Sequence, residues 1–168
     1  RLMSDREIGC LLSGGVDSSI IASILSNFCK KNGKKISTFS IGFQDSEDLK
    51  YARKVAEFID SDHHEVVISY KEALEVIPEV IYHIESYDIT TIRASIGMYL
   101  ISKYISENFK EKVIFSGEGA DEVLCGYLYF HYAPSETELF NESRYLIKNL
   151  PYFDVLRADR TTAAHGLE

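Results

Sequence analysis

Residues 8–19 read IGCLLSGGVDSS, and this stretch decides how the fold of the chain is predicted. A short apolar strand, Ile8 to Leu12, runs into a turn of small residues, and apolar residues at helical spacing follow from Ile20. A strand, a glycine turn and a helix N-terminus predict an anion site, because backbone N–H groups and the positive end of the helix dipole converge there. Gly14 and Gly15 let an anion approach the backbone closely. Further hydroxyl donors come from three serines of the turn: Ser13, Ser18 and Ser19.

Asp17 lies in the same turn, and a carboxylate beside a phosphate is explained by a Mg²⁺ ion that bridges the two. The turn is not a Walker A loop, since that motif requires a lysine and none occurs between Arg6 and Lys30. A lysine-free SGGxDS turn resembles the pyrophosphate loop of the N-type ATP pyrophosphatases. In those enzymes a substrate attacks the α-phosphate of ATP and pyrophosphate leaves. A plain Ser/Gly turn is the alternative, but the order of strand, turn, acid and helix favours the loop.

The composition limits the partners and the compartment. The chain has 168 residues and a net charge of −8, which predicts one domain that does not bind nucleic acid. Its three cysteines lack CxxC spacing, which argues against a zinc or redox pair and favours a reducing, cytoplasmic location. No signal peptide or membrane-length apolar run is visible, so no membrane partner is expected. The abrupt start and stop of the chain suggest a piece of a longer protein.

Strand and helix patterns alternate in the first half of the chain. This alternation predicts an α/β fold in three layers, with a mostly parallel sheet flanked by helices and a helical C-terminal part. The predicted strands are Ile8–Leu12, Lys35–Ile41, His64–Ser69 and Lys112–Phe115. The predicted helices are Asp17–Lys31, one after Ser46, Lys71–Ser86 with a kink or break at Pro78, one capped by Thr90 or Thr91, Glu136–Asn149 and Asp154–Ala164.

A second glycine-rich turn follows the fourth predicted strand, where residues 113–126 read VIFSGEGADEVLCG. Ligands of parallel sheets lie beyond the carboxyl ends of the strands, so this turn and Ser13–Ser19 are expected to form two sides of one crevice. The carboxylates of this second turn, among them Glu118 and Asp121, would repel a triphosphate unless a cation is present. Asp121, together with Asp17 of the first turn, is therefore expected to bind Mg²⁺. Helix capping is the alternative for such acids, and it is the preferred explanation for Glu122.

Six motifs of the chain, taken in order, resemble the glutamine-dependent asparagine synthetases, most closely the eukaryotic type. They are SGGVDSS, TFSIGF, SYDITTIRAS, VIFSGEGADE, GYLYFHYAP and FDVLRADRTTAAHGLE. The resemblance spans essentially the whole chain and implies the ATP pyrophosphatase fold. It implies that the side-chain carboxylate of aspartate attacks ATP-Mg²⁺ to form β-aspartyl-AMP and pyrophosphate. Ammonia from an N-terminal glutaminase domain would then displace AMP to give asparagine.

The resemblance also implies roles for individual positions. The pyrophosphate loop corresponds to Ser13, Gly14, Gly15, Asp17 and Ser18. The adenosine and AMP contacts correspond to Leu11, Ile41, Ser116 and Gly117. Glu118 corresponds to the acid that acts during ammonia attack, and Asp17 with Asp121 to the metal side. Thr91 and Arg93 fall in the segment near aspartate or phosphate, although an exposed salt-bridge arginine is an equal alternative for Arg93.

Other features have simpler interpretations. His63 and His64 are adjacent in a predicted strand, so they should point to opposite faces and pack rather than bind a metal. The aromatic residues of Tyr127–Tyr132 are expected to be buried beneath the nucleotide loop. The glutaminase domain and the further C-terminal helices of the family, including a lysine-bearing segment, lie outside this sequence. The 168-residue chain alone is therefore expected to be poorly active or inactive.

Other functions remain open at this stage. One alternative is another adenylating ligase with a pyrophosphate loop, such as a β-lactam, argininosuccinate or GMP synthetase. A second is tRNA thiolation, which the acidic charge and the scattered cysteines disfavour. A third is a nucleotide-binding domain without activity. A homodimer is possible.

Overall fold

The computed structural model describes residues 2, 5–152 and 154–168, without the side chains of residues 154 and 155. Its strands form one parallel sheet in the order β3-β2-β1-β4. The strands are β1 (Ile8–Leu11), β2 (Ser37–Gly42), β3 (Asp62–Val67) and β4 (Val113–Phe115).

Helices connect the strands and form the C-terminal part. They are α1 (Val16–Lys31), α2 (Glu47–Ile59), α3 (Tyr70–Glu75), α4 (Ile77–Ile84), α5 (Ile89–Asn108), α6 (Ala120–Leu124), α7 (Glu136–Asn149) and α8 (Asp154–Ala163). Short 3₁₀ turns cover Leu128–Tyr132 and Leu150–Tyr152.

Both faces of the sheet are covered, which confirms the predicted three-layer α/β arrangement. On one face, side chains of β1 such as Cys10 pack with Leu25 of α1 and Ala52 of α2. On the other face, Phe39 of β2 packs with Ile101 of α5. Strands that are covered on both faces are typical of a parallel sheet, and this explains the apolar sequences of β1 and β4.

Several predicted element boundaries were wrong by one or two residues, and two of these errors have a clear local cause. Strand β3 begins at Asp62 and ends before Ser69, because Ser69 and Glu72 form a capping box that starts α3. Helix α5 is capped by Asp88, not by Thr90 or Thr91. The Asp88 carboxylate accepts hydrogen bonds from the Thr91 backbone N–H (2.8 Å) and hydroxyl (2.9 Å).

The helix predicted over residues 71–86 is split, as its proline indicated. Helix α3 ends at Glu75, and Pro78 lies in the first turn of α4, where its missing N–H is tolerated.

The two adjacent histidines lie on opposite faces of β3, as predicted. His63 contacts the Thr38 hydroxyl at 2.9 Å, whereas His64 stacks on Phe39 with ring centroids 5.4 Å apart. Both side chains contact neighbouring residues of the described chain, in agreement with a packing role.

The burial predicted for the aromatic run was largely wrong. Phe130 is buried, but Tyr129 and Tyr132 are 47% and 85% exposed. The short 3₁₀ turn eclipses side chains at every third position, so it directs only part of the run inward.

The cysteines of the chain are unpaired, and Cys10 and Cys29 are buried. Burial raises the pKa of the Cys10 thiol to about 12, so it does not ionise near neutral pH. Among the described residues, no helix combines the length and apolar character that crossing a membrane requires.

Candidate active site

A cavity of about 320 Å³ opens beyond the carboxyl ends of β1, β2 and β4. Side chains and backbone from both glycine-rich turns line it. The sequence-predicted residues that it brings together are Leu11, Ser13, Gly15, Asp17, Ser18, Ile41, Ser116, Gly117, Glu118 and Asp121. Ligands of open parallel sheets bind at this edge, so the cavity is the candidate active site.

The first turn is held in shape by its own serines. The hydroxyls of Ser13 and Ser18 share a hydrogen bond of 3.0 Å, and the Ser18 hydroxyl donates to the Gly15 carbonyl at 3.2 Å. Gly15 is the N-cap of α1, and no side chain caps the helix there. The N-terminal N–H groups of α1 therefore remain available to an anion.

Gly14 supports the turn rather than lining the cavity. Its φ of +82° favours glycine, and a Cβ at this position would lie 2.5 Å from the Ala52 backbone nitrogen. This close approach packs the turn against α2 and fixes the position of the α1 N-terminus.

The second turn lies directly against the first. A Cβ built on Gly117 would lie 3.0 Å from the Ser18 backbone nitrogen and 3.4 Å from the Asp17 side chain. Glycine at this position keeps the N-terminus of α1 accessible, because a methyl group would occupy the space in front of its N–H groups. The two turns that are far apart in sequence thus form opposite walls of one cavity.

The cavity is acidic. Among the described residues that line it, none is a lysine, an arginine or a histidine, and the carboxylates are Asp17, Asp48, Glu118 and Asp121. No group of three or more potential ligands in the described part of the chain is close enough to hold a metal alone. This donor set fits a Mg²⁺ ion that takes one or two carboxylates and completes its shell with phosphate oxygens and water.

Asp121 packs closely against Gly126 in the second turn. Its backbone carbonyl accepts a hydrogen bond from the Gly126 N–H at 2.9 Å, and a Cβ on Gly126 would collide with its Oδ1. The neighbouring Glu122 is buried and its carboxylate accepts a hydrogen bond from the Tyr127 hydroxyl, so it points away from the cavity lining. Glu122 lies in the first turn of α6, but within the described residues it makes no capping hydrogen bond, so the capping role predicted for it was wrong.

Glu118 lies at the junction of two cavities. A second cavity of about 290 Å³ adjoins the first and shares Leu11, Met98, Ser116 and Glu118 with it. Arg157 of α8 donates to the Glu118 carboxylate at 3.0 Å. Sequence reasoning assigned no role to this arginine, because the contact spans 39 residues of chain.

Two polar lining residues, Ser40 and Asp48, were not predicted from the sequence. The Ser40 hydroxyl of β2 lies 3.3 Å from His63 Nε2, and the opposite ring nitrogen lies 2.9 Å from the Thr38 hydroxyl. Burial lowers the pKa of His63, which favours the neutral imidazole. Asp48 lies in the first turn of α2, where the sequence suggested only an ordinary helix start.

Thr91 and Arg93 are not among the residues that line the cavity. Thr91 is bonded to Asp88, and Arg93 is exposed near the start of α5. Met98 and Ile101 of the same helix do line the cavity. The substrate contacts of Thr91 and Arg93 stay predictions.

Comparison with known proteins identifies the family. The model of the asparagine synthase family matches residues 1–144. The chain belongs to the asparagine synthase family. It is 58% identical to the glutamine-hydrolysing asparagine synthetase of Cricetulus griseus and 57% identical to that of Homo sapiens, each over 170 aligned residues. Each alignment covers 100% of this chain and 30% of the relative, so the chain spans about a third of the length of these relatives.

Among solved structures, the NMN synthetase of Francisella tularensis overlaps with a TM-score of 0.47 at 17% identity, covering 86% of this chain and 64% of that one. The NAD⁺ synthetase of Burkholderia pseudomallei overlaps with a TM-score of 0.45 at 14% identity, covering 94% and 65%.

Proposed function

We propose that the cavity binds ATP with Mg²⁺ and that the side-chain carboxylate of aspartate attacks the α-phosphate there. The P–O bond to the β-phosphate breaks, and the products are β-aspartyl-AMP and pyrophosphate. The observation that best supports this proposal is the close approach of Gly117 to the N-terminus of α1 in an acidic cavity. A helix N-terminus favours phosphate, whereas the surrounding carboxylates disfavour it unless a divalent cation is bound.

Asp17 and Asp121 would hold Mg²⁺. The bound ion supplies positive charge that neutralises the phosphates and the leaving pyrophosphate. The residues of the first turn would bind pyrophosphate through the N–H groups of α1. The hydroxyls of Ser13 and Ser18 would contribute by exchanging their hydrogen bonds within the turn for bonds to the phosphates. Leu11 and Ile41, at the ends of two strands, would bind the adenosine through backbone groups, and Ser116 and Gly117 would contact the AMP part.

Thr91 and Arg93 would bind aspartate or the α-phosphate. Two anions must approach each other in this step, so a guanidinium near the attacking carboxylate would lower their repulsion. The position of both residues at the start of α5, whose later turns line the cavity, supports this assignment.

Glu118 would act in the second step. Ammonia nitrogen attacks the acyl carbon of β-aspartyl-AMP, the C–O bond to phosphate breaks, and AMP leaves with the bonding electrons. The nitrogen must also lose a proton, which the Glu118 carboxylate accepts. Its position between two cavities supports this role, because ammonia can reach the acyl carbon from the second cavity while the nucleotide fills the first.

In the whole protein, an N-terminal glutaminase domain would release the ammonia from glutamine. The family membership and the relatives' names support this partner. The unpaired cysteines support a reducing compartment, and we place the reaction in the cytoplasm. A homodimer stays a prediction.

Release of pyrophosphate by the full-length protein tests the proposal. We expect pyrophosphate and AMP from ATP only when aspartate is present, and asparagine when an ammonium salt is added. The comparison substrates are glutamate, xanthosine monophosphate, and citrulline supplied together with aspartate. Adenylation of any of these in place of aspartate, or formation of ADP and phosphate, would refute the proposal.

A further inference from the structure

The ion pair between Arg157 and Glu118 joins the C-terminal helix to the candidate active site. Arg157 Nη2 lies 3.0 Å from Glu118 Oε2, within hydrogen-bond distance. Their side chains are only 18% and 29% exposed, so water screens this pair less than a surface pair. A charge-assisted hydrogen bond in such surroundings restricts the rotamer of the carboxylate.

The guanidinium contacts the carboxylate outside the space that substrates would fill. Glu118 lines both cavities, whereas Arg157 is not among the described residues that line either. Its helical neighbours Ala158 and Asp159 line the second cavity. Among the contacts described, Arg157 thus reaches the candidate site through Glu118.

The backbone that carries Arg157 is itself fixed. Thr161 is completely buried, and its hydroxyl donates to the Arg157 carbonyl at 2.8 Å. A long side chain on an anchored helix loses less freedom when it forms an ion pair, which favours a single geometry for the carboxylate.

The charge of Arg157 also fits the chemistry. Glu118 shares its cavity with Asp17, Asp48 and Asp121, and a bound triphosphate would repel all of these carboxylates. A guanidinium paired with Glu118 offsets this repulsion, so the carboxylate can remain at the junction of the cavities when ATP is bound.

We propose that Arg157 is a positioning residue for amide formation. It holds the Glu118 carboxylate where it accepts the proton from the nitrogen that attacks the acyl carbon. This inference rests on the proposed function. It assigns Arg157 to the second step only, because pyrophosphate release requires no proton transfer to Glu118.

The test measures both steps in the full-length protein. Aspartate-dependent exchange of pyrophosphate into ATP reports the first step, and asparagine formed from ammonium chloride reports both. General-base catalysis contributes about 10²–10⁴-fold, so we expect Arg157→Gln to lower asparagine formation about 10- to 100-fold and the exchange rate by less than about threefold. Arg157→Lys, which keeps the charge, should recover a large part of the lost rate.

Arg160→Gln is the matched control. Arg160 lies one turn further along α8 but pairs with Glu85 at 3.2 Å and donates to the Ile84 carbonyl. It should lower the melting temperature without changing the ratio of the two rates. A parallel fall of both rates in Arg157→Gln, or no change in either, would overturn the proposal.

A double mutant separates positioning from a loss of stability. If Arg157 acts through Glu118, adding Arg157→Gln to Glu118→Gln should lower asparagine formation no further. Independent, multiplying effects would overturn the proposal even if Arg157→Gln is less stable. Absence of aspartate-dependent exchange in the unmodified protein would instead refute the proposed function.

Discussion

Gly117→Ala adds one methyl group at the contact between the two turns of the site. The new Cβ would lie 3.0 Å from the Ser18 nitrogen and 3.4 Å from the Asp17 side chain, closer than side chains ordinarily pack. A phosphate oxygen must approach a backbone nitrogen to about 2.9 Å to accept its hydrogen bond. The methyl group and the oxygen would therefore compete for the same space.

The expected loss of ATP affinity follows from the phosphate hydrogen bond that the methyl group would block. A hydrogen bond to a charged group contributes about 1.5–3 kcal/mol, so removing one weakens binding of ATP with Mg²⁺ by about 2 kcal/mol, roughly 30-fold in affinity. Gly117 does not have a positive φ, so alanine adds no left-handed backbone strain, and the neighbouring turn must shift by only a few tenths of an ångström to accept the methyl group. The melting temperature of the variant checks that the fold is kept.

Titration calorimetry of the full-length protein with ATP and Mg²⁺ measures this loss. Gly97→Ala is the control, because its Cβ would meet the Ile41 side chain at an ordinary 3.7 Å. It should leave the affinity within about threefold, since such exposed or loosely packed substitutions have small effects. If Gly117→Ala binds ATP as tightly as the unmodified protein, the phosphates do not lie at the N-terminus of α1.

Two further predictions concern the metal and pH. Gly126→Ala should displace the Asp121 carboxylate. Because residues that orient a metal ligand control metal affinity, the Mg²⁺ concentration for half-maximal pyrophosphate release should rise about 10-fold or more. An unchanged Mg²⁺ titration would argue against Asp121 as a ligand. Burial lowers the pKa of His165 below the usual 6.5, and its Nε2 is buried with no hydrogen-bond partner among the described residues. The unfolded chain therefore binds the proton more readily, so the melting temperature should fall as the pH decreases from about 7 to 5, and His165→Gln should reduce that fall. An identical pH dependence in both proteins would contradict this assignment.

Local sequence patterns were sufficient to predict the glycine turns and the parallel sheet. In Ser13–Ser19 the strand, glycines, acid and helix are contiguous, so the geometry follows from short-range backbone preferences. The predicted end of β3 at Ser69 was wrong because Ser69 forms a capping box that starts α3, although its apolar neighbours favour a strand. The predicted cap of α5 was wrong for the same reason: the Asp88 carboxylate caps the helix instead of Thr90 or Thr91.

Residues brought to the site by packing between distant elements could not be predicted. Ser40 gains its histidine contact from strand register, and Arg157 reaches Glu118 from a helix far along the chain. The prediction that the aromatic residues after Gly126 are buried was largely wrong for a related reason. Hydrophobicity indicates which side chains can be buried, but tertiary packing decides which of them are, and Tyr132 is exposed.

Transfer of oxygen from aspartate to AMP tests the central claim most directly. The full-length protein is supplied with ATP, ammonia and aspartate labelled with ¹⁸O in its side-chain carboxylate, and the AMP is analysed by mass spectrometry. If that carboxylate attacks the α-phosphate, each asparagine formed leaves one ¹⁸O atom in the phosphate of AMP. Unlabelled AMP, or label in inorganic phosphate with ADP as the nucleotide product, would contradict the account.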